Sequence, residues 1–227
     1  MRDIVNKSLK LNNDLDRYVE QALEQNRPVK IGWGRAGDER PKDGEFGVMT
    51  HLPDGARVLC LGSFGDCVGV ANRGGALTIR GDAGSMLGAF QLSGKTVVEK
   101  DVGDKAGFSM AGGEISIQGS TGDESGSSMT GGTLLVRGHS GDRLGSGMSG
   151  GSIVVMGSVG SEPGIGMTGG RIIISGSCPP PPDGVEMRSI KKPEISEFAK
   201  LLDPIGSVSY THLRAHETVL DLVCRLL

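Results

Sequence analysis

Several short strings in this 227-residue chain have the composition of chemical sites. Gly145-Ser146-Gly147-Met148-Ser149-Gly150 and Gly164-Ile165-Gly166-Met167-Thr168-Gly169 both match G-x-G-x-x-G. That pattern is a dinucleotide fingerprint when it follows a strand and opens a helix whose N-terminus holds the pyrophosphate. Gly147-Met148-Ser149-Gly150-Gly151 fits the G-x-S-x-G nucleophile elbow of esterases, which also needs a histidine partner; His51 and His139 are the candidates upstream of the last twenty residues. Asp66, Asp104, Asp123 and Asp142 share one register, with Ser85 and Ser161 in the gaps, and stacked carboxylates could hold a cation through oxygen ligands.

Each string weakens when set against the elements that must position it. Gly75, Gly94, Gly113, Gly132, Gly151 and Gly170 fall nineteen residues apart, and so do the series from Gly65 to Gly160 and from Gly69 to Gly164. The unit reads G-x-x-G-x-x-x-G-x-x-M-x-G-G-x-I-x-V-x, with six copies from Gly62 to Ser175. A fixed period of this kind marks a stack of units, each stable only against its neighbours. Ser149 then aligns with Ala111, Thr130 and Thr168, which makes it a variable turn residue. The G-x-G-x-x-G runs lead into Ile153-Val154-Val155 and Ile172-Ile173-Ile174, which read as strands. The aspartates sit in turns, where the side chain accepts hydrogen bonds from its own backbone.

Within the unit the apolar alternation has period two: Leu77/Ile79, Thr96/Val98, Ile115/Ile117, Leu134/Val136, Ile153/Val155 and Ile172/Ile174. Each pair lies on one face of a strand, and Val58 and Cys60 begin the series one unit earlier. The remaining dozen residues per unit are punctuated by glycine and poor in helix formers. The fold class that follows is mainly β, a right-handed parallel β-helix with one strand per 19-residue coil and short helical caps. Met110, Met129, Met148 and Met167 read as core filling. Lys105, Glu124, Arg143 and Glu162 alternate in sign from coil to coil, and Arg80 falls over Glu99 and Lys95 over Glu114, pairings that specify register.

Composition narrows the partners. A net charge of −3 with no basic stripe argues against nucleic acid, and no apolar run approaches the ~20 residues of a membrane span. Cys60, Cys67, Cys178 and Cys224 include no C-x-x-C pair, and no secretory leader precedes them, which predicts a reduced, cytoplasmic protein. The outward strand position runs Thr78, Val97, Ser116, Leu135, Val154, Ile173 and turns apolar toward the C-terminal coils, where Met156 joins it. Leu135, Val154, Met156 and Ile173 are therefore the candidate partner surface, facing another subunit, a second copy of the chain, or the chain's own segment near Ile195 to Leu202.

The ends lie outside the period. Residues 1–55 form an N-terminal cap: a helix over Leu15 to Leu23 capped by Asn13 or Asp14, a strand from Pro28 to Trp33, and a polar loop from Gly34 to Glu45. Residues 56–176 are the β-helix. Residues 177–206 hold a proline-rich turn, a strand from Val185 to Ser189 and a capping helix from Pro193 to Leu202. Residues 207–227, with Tyr210-Thr211-His212-Leu213-Arg214-Ala215-His216-Glu217-Thr218, resemble adaptor or vector read-through and are expected to be non-native.

The in-phase glycines and the M-x-G-G-x-I-x-V run resemble the GXGXG β-helix family over Val58 to Gly176. Its members include the C-terminal domain of the glutamate synthase large subunit, glutamate-synthase-like subunits and the C-type subunit of formylmethanofuran dehydrogenase. Ala22-Leu23-Glu24 followed by Pro28-Val29-Lys30-Ile31 is similar to the lead-in of the glutamate synthase domain. The resemblance implies a non-catalytic, structural and interaction-bearing subunit of a glutamate-synthase-type oxidoreductase complex. It also implies flavin and iron–sulfur centres in partner subunits, and no catalytic, cofactor-binding or metal-binding residue in this chain. One alternative is a component like the C-type subunit of a formylmethanofuran dehydrogenase complex, beside a molybdenum or tungsten enzyme. The other is a self-contained binding protein with its site in the 34–45 loop, at Arg35, Asp38 and Arg40.

Overall fold

The structure is a computed structural model, and it describes residues 2–34, 40–189 and 220–224. Helix α1 (Arg2–Glu24) precedes strands β1 (Val29–Ile31), β2 (Arg57–Cys60), β3 (Arg73–Ile79), β4 (Ser93–Val98), β5 (Glu114–Ile117), β6 (Thr130–Val136), β7 (Ser149–Val155) and β8 (Gly169–Ile174). These eight pair in parallel and in chain order. From β2 onward the partners through the body of each strand are nineteen residues apart, as in Val58↔Leu77, Leu77↔Thr96 and Ile153↔Ile172, and a register shift makes the offset twenty where β3, β6 and β7 open. The protein is a parallel β-solenoid with a helix at its N-terminal end. A second ladder of single-residue bridges climbs another wall through Ala83, Val102, Thr121, Ser140 and Val159.

The inward positions fill one continuous core. Leu77, Ile115, Leu134, Ile153 and Ile172 are buried, as are Ile79, Val98, Ile117, Val136, Val155 and Ile174, and the methionine ladder from Met110 to Met167 lies in the same cluster. Each fully buried aliphatic side chain contributes about 1.5–3 kcal/mol, so the period-two pattern is the main source of stability.

The N-terminal region differs from its reading. Helix α1 begins at Arg2, well before Asn13, because Ile4, Leu11, Leu15 and Val19 recur along one face and Ser8 and Asn12 fill the gaps with hydrogen bonds. Phe46 N–H donates to Ser8 Oγ at 3.1 Å, Met49 N–H donates to Asn12 Oδ1 at 3.1 Å, and Asn12 Nδ2 donates to Gly47 O at 2.7 Å. Lys7 pairs with Asp43, and this contact holds the Asp43 carboxyl below its ordinary pKa.

The segment that α1 holds is itself a coil. Ser63 N–H donates to Pro41 O, Gly65 N–H to Glu45 O and Gly69 N–H to Val48 O, so residues from Pro41 onward stack beneath the first repeat. Strand β1 pairs with β2 as Val29↔Val58, and the parallel stack therefore starts before Ala56. The chain takes ten steps from Ile31 to Pro41 where the next coil takes two from Cys60 to Gly62, and the polar loop shrinks to that insertion. It escaped notice in the sequence because the eight extra residues destroy the period there.

At the other end, β9 (Val185–Ser189) forms as expected, and β10 (Leu220–Cys224) lies antiparallel between β8 and β9. The segment expected to be non-native thus supplies a strand to the sheet. The capping helix expected over Pro193 to Leu202 lies outside the described residues.

Candidate functional site

The aspartate register is a device of the stack. Ser85 N–H donates to Asp66 Oδ1 at 2.7 Å, Asp123 N–H to Asp104 Oδ1 at 2.9 Å, Asp142 N–H to Asp123 Oδ1 at 2.8 Å and Ser161 N–H to Asp142 Oδ1 at 2.7 Å. Each carboxylate caps the coil above instead of its own turn. The bond from the Ser161 amide keeps the Asp142 carboxyl below its ordinary pKa. This also explains the glycine ladder beside it: a Cβ at Gly84, Gly122, Gly141 or Gly160 would fall on the Oδ1 of the coil below. Among the described residues no group of three or more His, Cys, Asp or Glu is placed to hold a metal ion.

A second capping ladder carries no uniform residue type and is invisible to a motif search. Asp82 N–H donates to Ser63 Oγ, Asp101 N–H to Asp82 Oδ1, Ser120 N–H to Asp101 Oδ1, His139 N–H to Ser120 Oγ, Ser158 N–H to His139 Nδ1 and Ser177 N–H to Ser158 Oγ. His139, the candidate partner of a nucleophile, is engaged here. The shared property is an acceptor atom one or two bonds beyond Cβ, which only the nineteen-residue offset could have revealed.

The alternating charges pair across coils: Lys105 with Glu124 at 3.3 Å, Arg143 with Glu124 at 2.6 Å, Arg80 with Glu99 at 3.4 Å and Lys95 with Glu114 at 3.9 Å. Lys105, Glu124, Arg143 and Glu162 all have φ between 53° and 58°, so this ladder occupies left-handed backbone without glycine. Lys100, which stands in the Gly81 and Gly119 register, has no such conformation, and its side chain approaches Asp82 at 3.9 Å.

The remaining motifs resolve the same way. The G-x-G-x-x-G runs end in β7 and β8, so each opens a strand where pyrophosphate binding needs a helix N-terminus. Ser149 opens β7 and its N–H donates to Met129 O, which is sheet pairing and no elbow. In the insertion, Arg40 is exposed, while Arg35 and Asp38 lie outside the described residues. Burial pushes the Cys178 thiol up to about 11 and raises that of Cys67, where Asp66 adds to the effect, the opposite of what a reactive thiolate requires.

The outward stripe is largely covered in the folded chain. Leu135 is fully buried, Val154 and Ile173 nearly so, Ser116 is buried and Met156 half-buried. Leu135, Val154 and Ile173 lie outside the interior cluster, on the opposite face of β6, β7 and β8. An apolar stripe of this kind costs about 25 cal/mol per Å² when left in water.

Three features went unread in the sequence. Gln91 and Thr96 are both buried, and the Thr96 hydroxyl donates to Gln91 Oε1 at 2.9 Å while Gln91 Nε2 donates to the carbonyls of Gly94 and Glu114. The one polar member of the inward strand ladder thus meets the polar member of the methionine ladder. Trp33 lies beneath Lys30 and Arg80, whose charged groups are 5.1 and 5.5 Å from the ring centre. Phe90, Leu92 and Phe108 cluster at one corner, with Phe90 and Phe108 edge to face at 5.5 Å.

No protein-family model matches the chain, and no curated protein matches it in sequence. Among solved structures it is similar to a chain in the crystal structure of the formyltransferase/hydrolase complex (FhcABCD) from Methylorubrum extorquens in complex with methylofuran. The TM-score is 0.54 at 24% identity, over 84% of this chain and 79% of that one. At that identity the likeness is one of fold. Among the described residues no helix is long and apolar enough to cross a membrane.

Proposed function

We propose that this chain is a structural, interaction-bearing subunit of a multisubunit enzyme complex, of the formyltransferase/hydrolase kind in preference to the glutamate synthase kind. The observation that carries it is the fold likeness to a chain of FhcABCD over most of both lengths. The glutamate synthase reading rested on the repeat and the lead-in at Ala22 to Ile31, and no comparison supports it. Flavin and iron–sulfur centres in partner subunits belong to that reading. The ladders agree with a non-catalytic role, because the acceptors of the two capping registers are spent on amides of the next coil.

The test is isolation of the affinity-tagged chain from its source organism under native conditions, followed by mass determination and assay. The expected result is an assembly with other subunits in fixed ratio that carries formyl-transfer or hydrolytic activity. A lone chain with turnover of its own overturns the proposal, and an assembly with glutamate synthase activity restores the other reading.

A further inference from the structure

One rung of the second capping ladder differs from the others in what a proton does to it. The acceptors of that ladder are Ser63 Oγ, Asp82 Oδ1, Asp101 Oδ1, Ser120 Oγ, His139 Nδ1 and Ser158 Oγ. A hydroxyl oxygen keeps a lone pair at every pH, and a carboxyl group keeps an acceptor oxygen whether or not it carries a proton. Imidazole is different, because its neutral form has one acceptor nitrogen and its protonated form has none. It is also the side chain whose charge ordinarily changes between about pH 5 and about pH 8.

The donor fixes which ring nitrogen accepts. Ser158 N–H donates to His139 Nδ1 at 3.0 Å, and a backbone amide cannot reverse its role as a hydroxyl can. Nδ1 therefore carries no hydrogen, and the hydrogen of the neutral ring sits on Nε2. The coil above lies close against the ring, since a Cβ at Gly157 would fall 2.9 Å from Nδ1. His139 is exposed, so protons reach it directly from solvent. Its charged neighbours in register are Arg137, Asp142 and Arg143 on its own coil, Asp123 and Glu124 on the coil below and Glu162 on the coil above. Among the described residues, then, carboxylates outnumber guanidinium groups around it.

We propose that His139 makes the joint between the coils that feed β7 and β8 a proton-operated catch: neutral imidazole holds the Ser158 amide, and imidazolium, with a hydrogen on Nδ1, releases it and turns out into solvent. The bonds on either side, Gly157 N–H to Gly138 O at 2.9 Å and Ser140 N–H to Ser158 O at 3.0 Å, use backbone atoms alone. They keep the coils stacked, so the opening is confined to this corner. The rungs below and above, capped by Ser120 Oγ and Ser158 Oγ, do not respond to the proton. The inference does not depend on which complex the chain joins.

The test is amide hydrogen exchange followed by NMR on the full chain from about pH 5 to about pH 8. Each rate is referred to the intrinsic rate at that pH, and the His139 ring protons are titrated in the same samples. The expected result is that protection of the Ser158 amide falls about two- to tenfold as the ring gains its proton, with a shared midpoint. The Ser177 amide, held by Ser158 Oγ, keeps its protection. His139→Ser places at this rung the acceptor that Ser120 and Ser158 supply, and Ser158 protection becomes level across the range; His139→Asn does the same through its amide oxygen. A Ser158 amide indifferent to the titration of the ring, or an equal fall in His139→Ser, overturns the proposal. Should the variants fold poorly, the wild-type midpoints decide: coincidence supports the catch and separate midpoints refute it.

Discussion

Alanine placed at Gly147 and at Gly151 separates two reasons for a glycine ladder. Both residues have left-handed backbone, with φ of 64° and 87°, and both belong to the coil that feeds β7. Their surroundings differ. A Cβ at Gly147 meets nothing closer than Ser128 Oγ at 3.8 Å, whereas at Gly151 it meets Gly131 C, Gly131 O and Gly132 O, each at 2.8 Å. Left-handed backbone costs a non-glycine residue about 1–2 kcal/mol, and the smaller entropy of the unfolded alanine chain returns about 0.4–1 kcal/mol. Gly147→Ala should therefore lose about 1.6 kcal/mol at most.

Gly151→Ala adds a collision with backbone that no rotamer change relieves. The coils must part by roughly half an ångström, which weakens neighbouring inter-coil hydrogen bonds worth about 0.5–1.5 kcal/mol each, for a total near 3–5 kcal/mol. At ~2–4 °C per kcal/mol for a chain of this size, the unfolding midpoint falls by at most about 6 °C for Gly147→Ala and by about 6–20 °C for Gly151→Ala. Thermal denaturation followed by circular dichroism reads both. Equal shifts would refute the reasoning, since they would mean that φ alone selects the glycines.

Thr96→Val leaves Gln91 Oε1 buried without its donor and is expected to cost about 1–3 kcal/mol. Adding Gln91→Met, which extends the methionine ladder, recovers part of that loss in urea titrations, and additive losses would show the pair is not coupled. The Cys178 thiol, pushed up to about 11, has roughly one thiolate in a thousand at pH 8. Its alkylation is slow in the folded chain and rises about tenfold per pH unit; fast labelling at pH 8 contradicts its burial. Because the folded value lies above the unfolded one, the stability from Cys178 is present below pH 9 and lost between about 9 and about 11. Asp142 has the opposite sign. Its folded value is depressed by the Ser161 amide, so its stabilisation is present above the ordinary value of 3.8 and is lost as pH falls through the folded value. Asp142→Ser should flatten the decline of thermal stability with acid, and an unchanged profile counts against the capping bond.

The strands, the inward ladders and the charge pairs were legible because each is set by local alternation multiplied by a period. Val98 predicts Ile117, and Lys95 predicts its partner Glu114, by the same offset of nineteen. The aspartates were legible as turn acceptors, and what differs is the donor, which is an amide of the next coil. The Asp123 carboxylate accepts from the Asp142 amide at 2.8 Å, a partner that only the stacking of coils brings within reach. The coil at Pro41 to Leu52 was illegible because an insertion breaks the phase before it. Burial of Leu135 and Val154 was illegible because an apolar stripe has the same sequence whether the chain or a partner covers it.

Departures from a period therefore divide by whether the molecule compensates them. Gln91 and Thr96 depart from apolar ladders toward the inside, and each satisfies the other, so the exchange is neutral to the core and says nothing of a partner. Phe90 departs toward the outside at a position where backbone strain opposes it, and Phe108 covers only part of its ring. Left-handed backbone does not single Phe90 out, because Ala71, Ser109 and Ser128 and, one coil earlier, His51 hold the same corner in the same conformation. An outward departure of this kind is tolerated by the turn without a compensating partner inside it, in contrast to the inward exchange of Gln91 with Thr96.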